Sequence, residues 1–372
     1  MKDNLIKIRR DLHKIPELDI KLPKTTAYLT DYLEKLPCTI KRIGKAGFVA
    51  YFDKGKDKTI AFRTDMDALP VQEETGHDFQ SVHDGRMHAC GHDGHMSIML
   101  GFASEIANLN TNSNVLLVFQ AAEETTGGAK EICDSKVFKK YNTVKIYGLH
   151  IWPGFPKHTI ACRGGDLMAG NKNFWINIDG KSSHAAKSDE GIDALEIAAE
   201  LVHHIYDAEQ KEFPDDVERV LKFCTFNSGT GINIISGKTE MSGTIRFTSM
   251  WTLRIILSIL SVLCKRYEDE YKCSIELTTS EGYPPVINPA EMVDELEEVV
   301  SSLSERYDTD YFSLEKPLLT SEDFSFYQQK IPGLFFLLGT GMDAQLHNGS
   351  YDIDEDVLPL GVEIFKALLA NA

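Results

Sequence analysis

Apolar positions recur along the chain with two different periods, and the change of period divides it. Leu5, Ile8 and Leu12 fall at helical spacing and Pro16 follows soon after His13, which predicts a first helix over about residues 3–14. A second helix is expected over residues 25–36, before a hairpin-like stretch that contains Gly44, Gly47 and Gly55. Largely apolar runs then appear at residues 59–62, 115–119, 144–147, where only Lys145 intervenes, and 334–338. Strands that are apolar at every position, instead of every second one, are covered by helices on both faces, so these runs predict an α/β domain with a mainly parallel sheet. Ile98, Met99, Phe102, Ile106 and Leu109 mark a helix whose first turn lies near His95.

Between residues 171 and 282 the period changes. Phe174, Ile176 and Ile178 alternate with polar residues, as in a strand solvated on one face. A helix through Ala194, Leu195, Ala198, Leu201, Val202 and Ile205 follows, then strands at 220–226 and 239–247, a helix at 251–267 and a strand at 274–278. The order β-α-β-β-α-β is the ferredoxin-like arrangement. The chain therefore divides into a first domain, residues 1–170 and 283–372, and an inserted α+β domain, residues 171–282.

Each apolar run of the first domain delivers ligating or ionisable residues at or beyond its end. Asp65 and Asp67 follow the first, Glu123 and Glu124 the second, His150 the third and His347 the fourth. In α/β sheets the ligand site lies outside the carboxyl ends of the strands, so these residues are placed together. The segment His88-Ala89-Cys90-Gly91-His92-Asp93-Gly94-His95 adds a dense cluster of donors with two glycines that let the backbone bend. Collected, the set is Cys90, His92, Glu124, His150 and His347, with Glu123 and Asp67 beside them. Cys and His suit zinc and related first-row metals, and carboxylates can bridge two ions. Five ligands exceed the need of one tetrahedral ion, so two divalent ions (zinc, manganese, cobalt or nickel) are expected, able to polarise a carbonyl and activate water. Glu123 and Glu124 cannot point the same way from an extended segment, so one is expected on metal and the other on water, as general base.

Composition narrows the partners. A formal charge of −17 argues against nucleic acid, which needs an excess of Lys and Arg. Seven cysteines, an odd number without a disulfide-like framework, fit a reducing, cytoplasmic compartment. Cys133, Cys162, Cys224 and Cys264 have apolar neighbours in sequence and read as small core residues. The N-terminal residues alternate charged and apolar and do not read as a secretory signal. The longest apolar candidate span, residues 251–264, contains Arg254 and is shorter than the ~20 residues a bilayer needs, so no membrane partner is expected.

Several ordered motifs also carry a resemblance. Arg9-Arg10-Asp11-Leu12-His13-Lys14-Ile15-Pro16-Glu17, Asp65-Met66-Asp67-Ala68-Leu69-Pro70, the His88–Asp93 stretch, Gln120-Ala121-Ala122-Glu123-Glu124, Ser183-His184-Ala185-Ala186, Ser321-Glu322-Asp323-Phe324 and Leu346-His347 resemble the M20 metallopeptidases, in their aminoacylase-like amidohydrolase branch. The resemblance implies a metal-dependent hydrolase of N-acyl-L-amino acids, with a catalytic α/β domain and an inserted lid domain that forms a homodimer. By position it implies that Cys90, His92, Glu124, His150 and His347 hold the metals, that Glu123 is the base and that Asp67 orients a ligand. It further implies that His184 stabilises the oxyanion, in its own or a partner subunit's site, that Arg246 grips the substrate carboxylate and that Asn233 touches substrate. Other M20 branches carry a ligating histidine where this chain has Asp65, so Asp65 is left out of the set. His88 and His95 are expected to position the loop and Asp93 to support it from behind. The chain departs from many relatives at Lys187-Ser188 and at Ile235-Ser236, both in the inserted domain. Pattern and length look closest to the N-acetyldiaminopimelate deacetylases of bacterial lysine synthesis. Hippurate, N-acetylcysteine and other N-acyl amino acids are further substrates in view, as are dipeptides, and a non-catalytic binding protein is the reading outside enzymes.

Overall fold

The computed structural model describes residues 1–45 and 47–371. The backbone divides into two compact units, residues 1–167 with 286–315 and 323–371, and residues 168–285 with 316–322. This division differs from the sequence-based one by a few residues at each junction and by the return segment 316–322, which sits with the inserted unit: Leu318 O accepts from Ala169 N at 2.8 Å.

The first unit is built on a sheet that runs Thr39–Ile43, Gly47–Phe52, Asn114–Gln120, Thr59–Asp65, Thr143–Trp152, Gly333–Gly339, Thr159–Cys162, Asp310–Ser313. The four central strands are mutually parallel. The hairpin at one edge joins antiparallel. At the other edge Thr159–Cys162 pairs antiparallel with Gly333–Gly339 and parallel with Asp310–Ser313. Thr59–Asp65, Asn114–Gln120 and Gly333–Gly339 are buried at every position, which is why their apolar stretches, residues 60–62, 115–119 and 334–338, show no alternation. The helix His92–Ile106 packs against Lys2–His13 and Leu358–Asn371. The contact is close at Gly101, where a Cβ would lie 2.4 Å from Leu5 Cδ2.

Several expectations change in detail. The strand expected at 144–147 extends over Thr143–Trp152, so His150 lies inside it and not beyond it; pairing with Gly333–Gly339 carries the strand through Gly148 and His150. The helix whose first turn was expected near His95 begins at His92, so His95 does lie in that turn. The helices Ala290–Tyr307 and Leu358–Asn371 occupy stretches for which the sequence reading names no element. Cys224 is exposed on Arg219–Ser228, unlike Cys133, Cys162 and Cys264, because its strand is solvated where the others are covered; all seven cysteines are free.

The second unit has the strands Gly170–Asp179, Arg219–Ser228, Lys238–Phe247 and Ser274–Thr279 with the helices Ala194–Glu212 and Met250–Tyr271. Its sheet order places Gly170–Asp179 between Ser274–Thr279 and Lys238–Phe247, with Arg219–Ser228 outermost, and every pairing is antiparallel: a ferredoxin-like fold. Phe174, Ile176, Ile178, Met241 and Ile245 form a core with Leu201, Ile205, Ile256 and Leu260 of the helices. Asp193 and Ser249 start these helices by accepting from Leu195 N at 3.0 Å and Thr252 N at 3.1 Å. No helix among the described residues is long and apolar enough to cross a membrane.

Candidate metal centre

Two strand ends, a helix start, a strand interior and a late loop bring the sequence-selected donors together within the first unit. Between Cys90 and His92 the chain turns at Gly91, where φ is +84° and a Cβ would stand 2.9 Å from Tyr351 Oη; glycine suits both demands. His92 Nδ1 donates to the main-chain oxygen of Asp67 at 2.8 Å, which leaves its Nε2 lone pair for a ligand. His150 Nδ1 donates to Ile151 O at 2.7 Å, and its Nε2 faces Cys90 Sγ at 3.4 Å. A thiolate and an imidazole on one tetrahedral ion stand roughly 3.6 Å apart. The loop of His347 is docked by its own N–H on Ala89 O at 2.8 Å, and His347 Nε2 lies 3.3 Å from Glu124 Oε1.

The Asp67 carboxylate, expected to orient a ligand, acts on the backbone of the two glutamates. Its two oxygens accept from Glu123 N at 3.0 Å and Glu124 N at 3.1 Å, so it shapes the turn that presents both glutamates, and His92 is oriented by the Asp67 backbone instead. That turn also corrects the expectation that the glutamates diverge. Ala122 takes φ +59°, the segment is not extended, and carboxylate oxygens of Glu123 and Glu124 both lie within 4.8 Å of a His92 ring nitrogen.

Donor atoms within 4.8 Å of one another form the sets Cys90–His92–His150 and Cys90–Glu124–His347, which share the thiol. A further set, Asp65–His92–His95, is chemically closed. Asp65 accepts from His95 Nδ1 at 2.7 Å and from Arg63 Nη1 at 2.8 Å, while His95 Nε2 accepts from Ile151 N at 2.8 Å. The donor set fits divalent ions on two counts. His92 Nε2 and Glu124 Oε1 are buried without a hydrogen-bond partner among the described residues, which costs free energy unless something is bound there. Burial, with Glu124 and Glu123 nearby, pushes the Cys90 thiol well above its ordinary 9. Burial likewise raises the Asp67 carboxyl to about 7, with His92 opposing and Glu124 adding to it. Such a cluster of reluctant anions calls for positive charge among them. At His92 burial opposes protonation, yet the Asp65, Glu124 and Asp67 carboxylates together raise its pKa.

Behind the loop lies a buried network that the residues alone did not announce. Asp93, in the first turn of the helix, accepts from Gly94 N at 2.9 Å and is held by Arg9 Nε at 2.8 Å and His13 Nδ1 at 2.8 Å; His13 Nε2 reaches Glu73 at 3.2 Å. Its only local sign was two basic residues on the buried face of an amphipathic helix. Burial works against protonation of His13, but the hydrogen bonds and charges of Asp93 and Glu73 outweigh it and raise its pKa to about 9. A raised folded pKa contributes stability that is complete below the unfolded value near 6.5 and disappears as pH rises through about 9. The unfolding midpoint in urea is therefore expected to fall between pH 6.5 and 9, and this component of the fall to vanish in His13→Gln.

The remaining sequence-selected residues belong to the second unit. His184 is exposed and its Nδ1 accepts from Ala186 N at 3.1 Å. Exposed Asn233 lies on the neighbouring segment, its carbonyl accepting from Ala185 N at 2.9 Å. Ser236, at one of the departures from relatives, ties that loop down by accepting from Gly229 N at 3.1 Å and donating to Lys238 O at 2.9 Å. Arg246 is half-buried and donates to Ser321 Oγ at 2.7 Å, and burial lowers its pKa.

Residues 61–371 match the family described as Peptidase family M20/M25/M40. The chain is 36 % identical over 374 residues to an N-acetyldiaminopimelate deacetylase of Listeria innocua, with 100 % of each covered. It is 33 % identical to a Bacillus licheniformis protein of the same name, over 99 % of this chain and 98 % of the relative. Among solved structures, a Bacillus subtilis protein described as a dinuclear metal-binding peptidase from the M20 family is similar with a TM-score of 0.87 at 28 % identity, over 100 % of this chain and 97 % of the other.

Proposed function

Because the chain belongs to peptidase family M20/M25/M40 and is a metal-dependent hydrolase acting on amides, we propose that it cleaves N-acyl-L-amino acids, with N-acetyldiaminopimelate as the preferred substrate. The observation that carries this reading is the shared thiol: Cys90 stands in both the set with His92 and His150 and the set with Glu124 and His347. These five residues would hold two divalent ions, which supply Lewis-acid charge to the amide carbonyl and make water a nucleophile at neutral pH.

The chain's own residues do the rest. Glu123, beside both sets, takes a proton from the attacking water as the O–C bond forms and returns it to the nitrogen as the C–N bond breaks, releasing carboxylate and free amine. Asp67 keeps Glu123 in place by holding the backbone of the glutamate turn. His184 is the donor to the oxyanion, in its own or a partner subunit's site; Arg246, which makes no ion pair among the described residues, receives the substrate carboxylate; and Asn233 is a further contact. The inserted unit is the surface for a homodimer.

The test is a substrate panel run on metal-stripped protein resupplied in turn with zinc, manganese, cobalt and nickel. N-acetyldiaminopimelate is expected to give the highest kcat/KM, above N-acetylcysteine, hippurate and simple acetylated amino acids, and well above dipeptides. Faster turnover of a dipeptide would replace this reading with a metallo-dipeptidase, and no turnover with any ion would leave a binding protein.

A further inference from the structure

His95 stands between two histidines of the proposed centre without being available as a ligand. The Ile151 N–H is a donor, so His95 Nε2, 2.8 Å away, must accept, and the ring proton therefore sits on Nδ1 and points to Asp65 Oδ1 at 2.7 Å. A proton relay is excluded by the same geometry, because the chain of hydrogen bonds ends on a backbone amide. What the arrangement does do is connect two elements. His95 lies one turn along the helix from His92, on the same face. Ile151 follows His150 in its strand, and the His95 ring packs edge-on to the His150 ring at 4.6 Å. The other end of the connection is fixed by Arg63, whose Nη1 donates to Asp65 Oδ2 at 2.8 Å. All three side chains are fully buried or nearly so.

We propose that His95 is a positioning residue, held by Asp65 and Arg63, that sets the separation of His92 from His150 and thereby the affinity of the ion position these two share with Cys90. The inference rests on the two-position reading of the centre. It accounts for an otherwise costly choice: an aspartate stands where the resemblance calls for a ligand in other branches, and here it braces a histidine and does not bind. The second position, Cys90 with Glu124 and His347, is held by other contacts, Asp67 on Glu124 N at 3.1 Å and Ala89 O on His347 N at 2.8 Å, so its affinity is expected to be unchanged.

Calorimetric titration of metal-stripped protein with zinc tests this. The parent is expected to take up two ions. His95→Leu is expected to weaken one of them about 10–100-fold, as removal of an orienting partner does, and to leave the other unchanged. His95→Gln, whose amide offers a donor and an acceptor at similar spacing, is expected to restore the parent's affinities. In kinetics the Leu variant recovers kcat as zinc is raised, with KM unaltered. Should His95→Leu not fold, His95→Phe, which keeps a ring and loses both hydrogen bonds, carries the test and must show the same loss at one ion only. Equal weakening of both ions, or of neither, in a two-ion parent overturns the brace. A parent that binds a single ion removes the two-position reading and this proposal with it.

Discussion

Glu123→Gln is expected to lower kcat by about 10²–10⁴, the usual worth of a general base, while the protein still binds two ions. The substitution keeps volume and shape and removes only the ability to take a proton. Three features favour Glu123 over Glu124 as the proposed base. Glu124 Oε1 is buried without a hydrogen-bond partner among the described residues and faces His347 Nε2 at 3.3 Å, as a ligand would. Glu124 also shares a donor set with Cys90, which Glu123 does not. The Glu123 carboxylate lies within 4.8 Å of both Glu124 and His92 donors, close enough to serve a water among them. Asp67 fixes the backbone of both. Glu124→Gln should therefore behave differently, losing metal affinity first and turnover as a consequence, so excess metal should rescue it and not Glu123→Gln. Full turnover in metal-loaded Glu123→Gln, with calorimetry confirming two ions, would refute the assignment.

The sequence made the donors legible because the strands that carry them are buried on both faces. An unbroken apolar run that ends in Asp, Glu or His is readable without any knowledge of pairing, and this is why residues as far apart as Asp67 and His347 could be gathered. Local conformation was not legible in the same way. Nothing about an alanine predicts the left-handed φ of Ala122, yet that one angle turns two adjacent glutamates toward one centre. The strands Thr159–Cys162 and Asp310–Ser313, four residues each, are too short for any periodicity to stand out. The helix Ala290–Tyr307 was readable in principle, since Met292, Val293, Leu296, Val299 and Val300 repeat at helical spacing. The buried ion network was not. Asp323 meets Arg63 and Gln120 across 260 and 203 residues of chain, and no local pattern announces a partner so distant.

That network gives the largest expected effect on stability. Arg63→Met is expected to destabilise the first unit by about 3–5 kcal/mol, the cost of breaking a buried ion pair from one side. Arg63 is fully buried and satisfied on three sides: Nε donates to Gln120 at 2.9 Å, Nη1 to Asp65 at 2.8 Å and Nη2 to Asp323 at 3.0 Å. Exposed ion pairs in water are worth little, but these carboxylates have no solvent to turn to when the guanidinium goes. Methionine fills much of the space and supplies no charge, so the loss measured is that of the unpaired anions more than of packing. Adding Asp323→Asn to the same chain should recover part of the loss by removing one of them, a coupling that a packing defect would not produce. Trp152 reports the first unit in a Trp175→Phe, Trp251→Phe background, and its urea midpoint should shift accordingly. A shift worth less than about 1 kcal/mol would place these pairs with the weak surface kind.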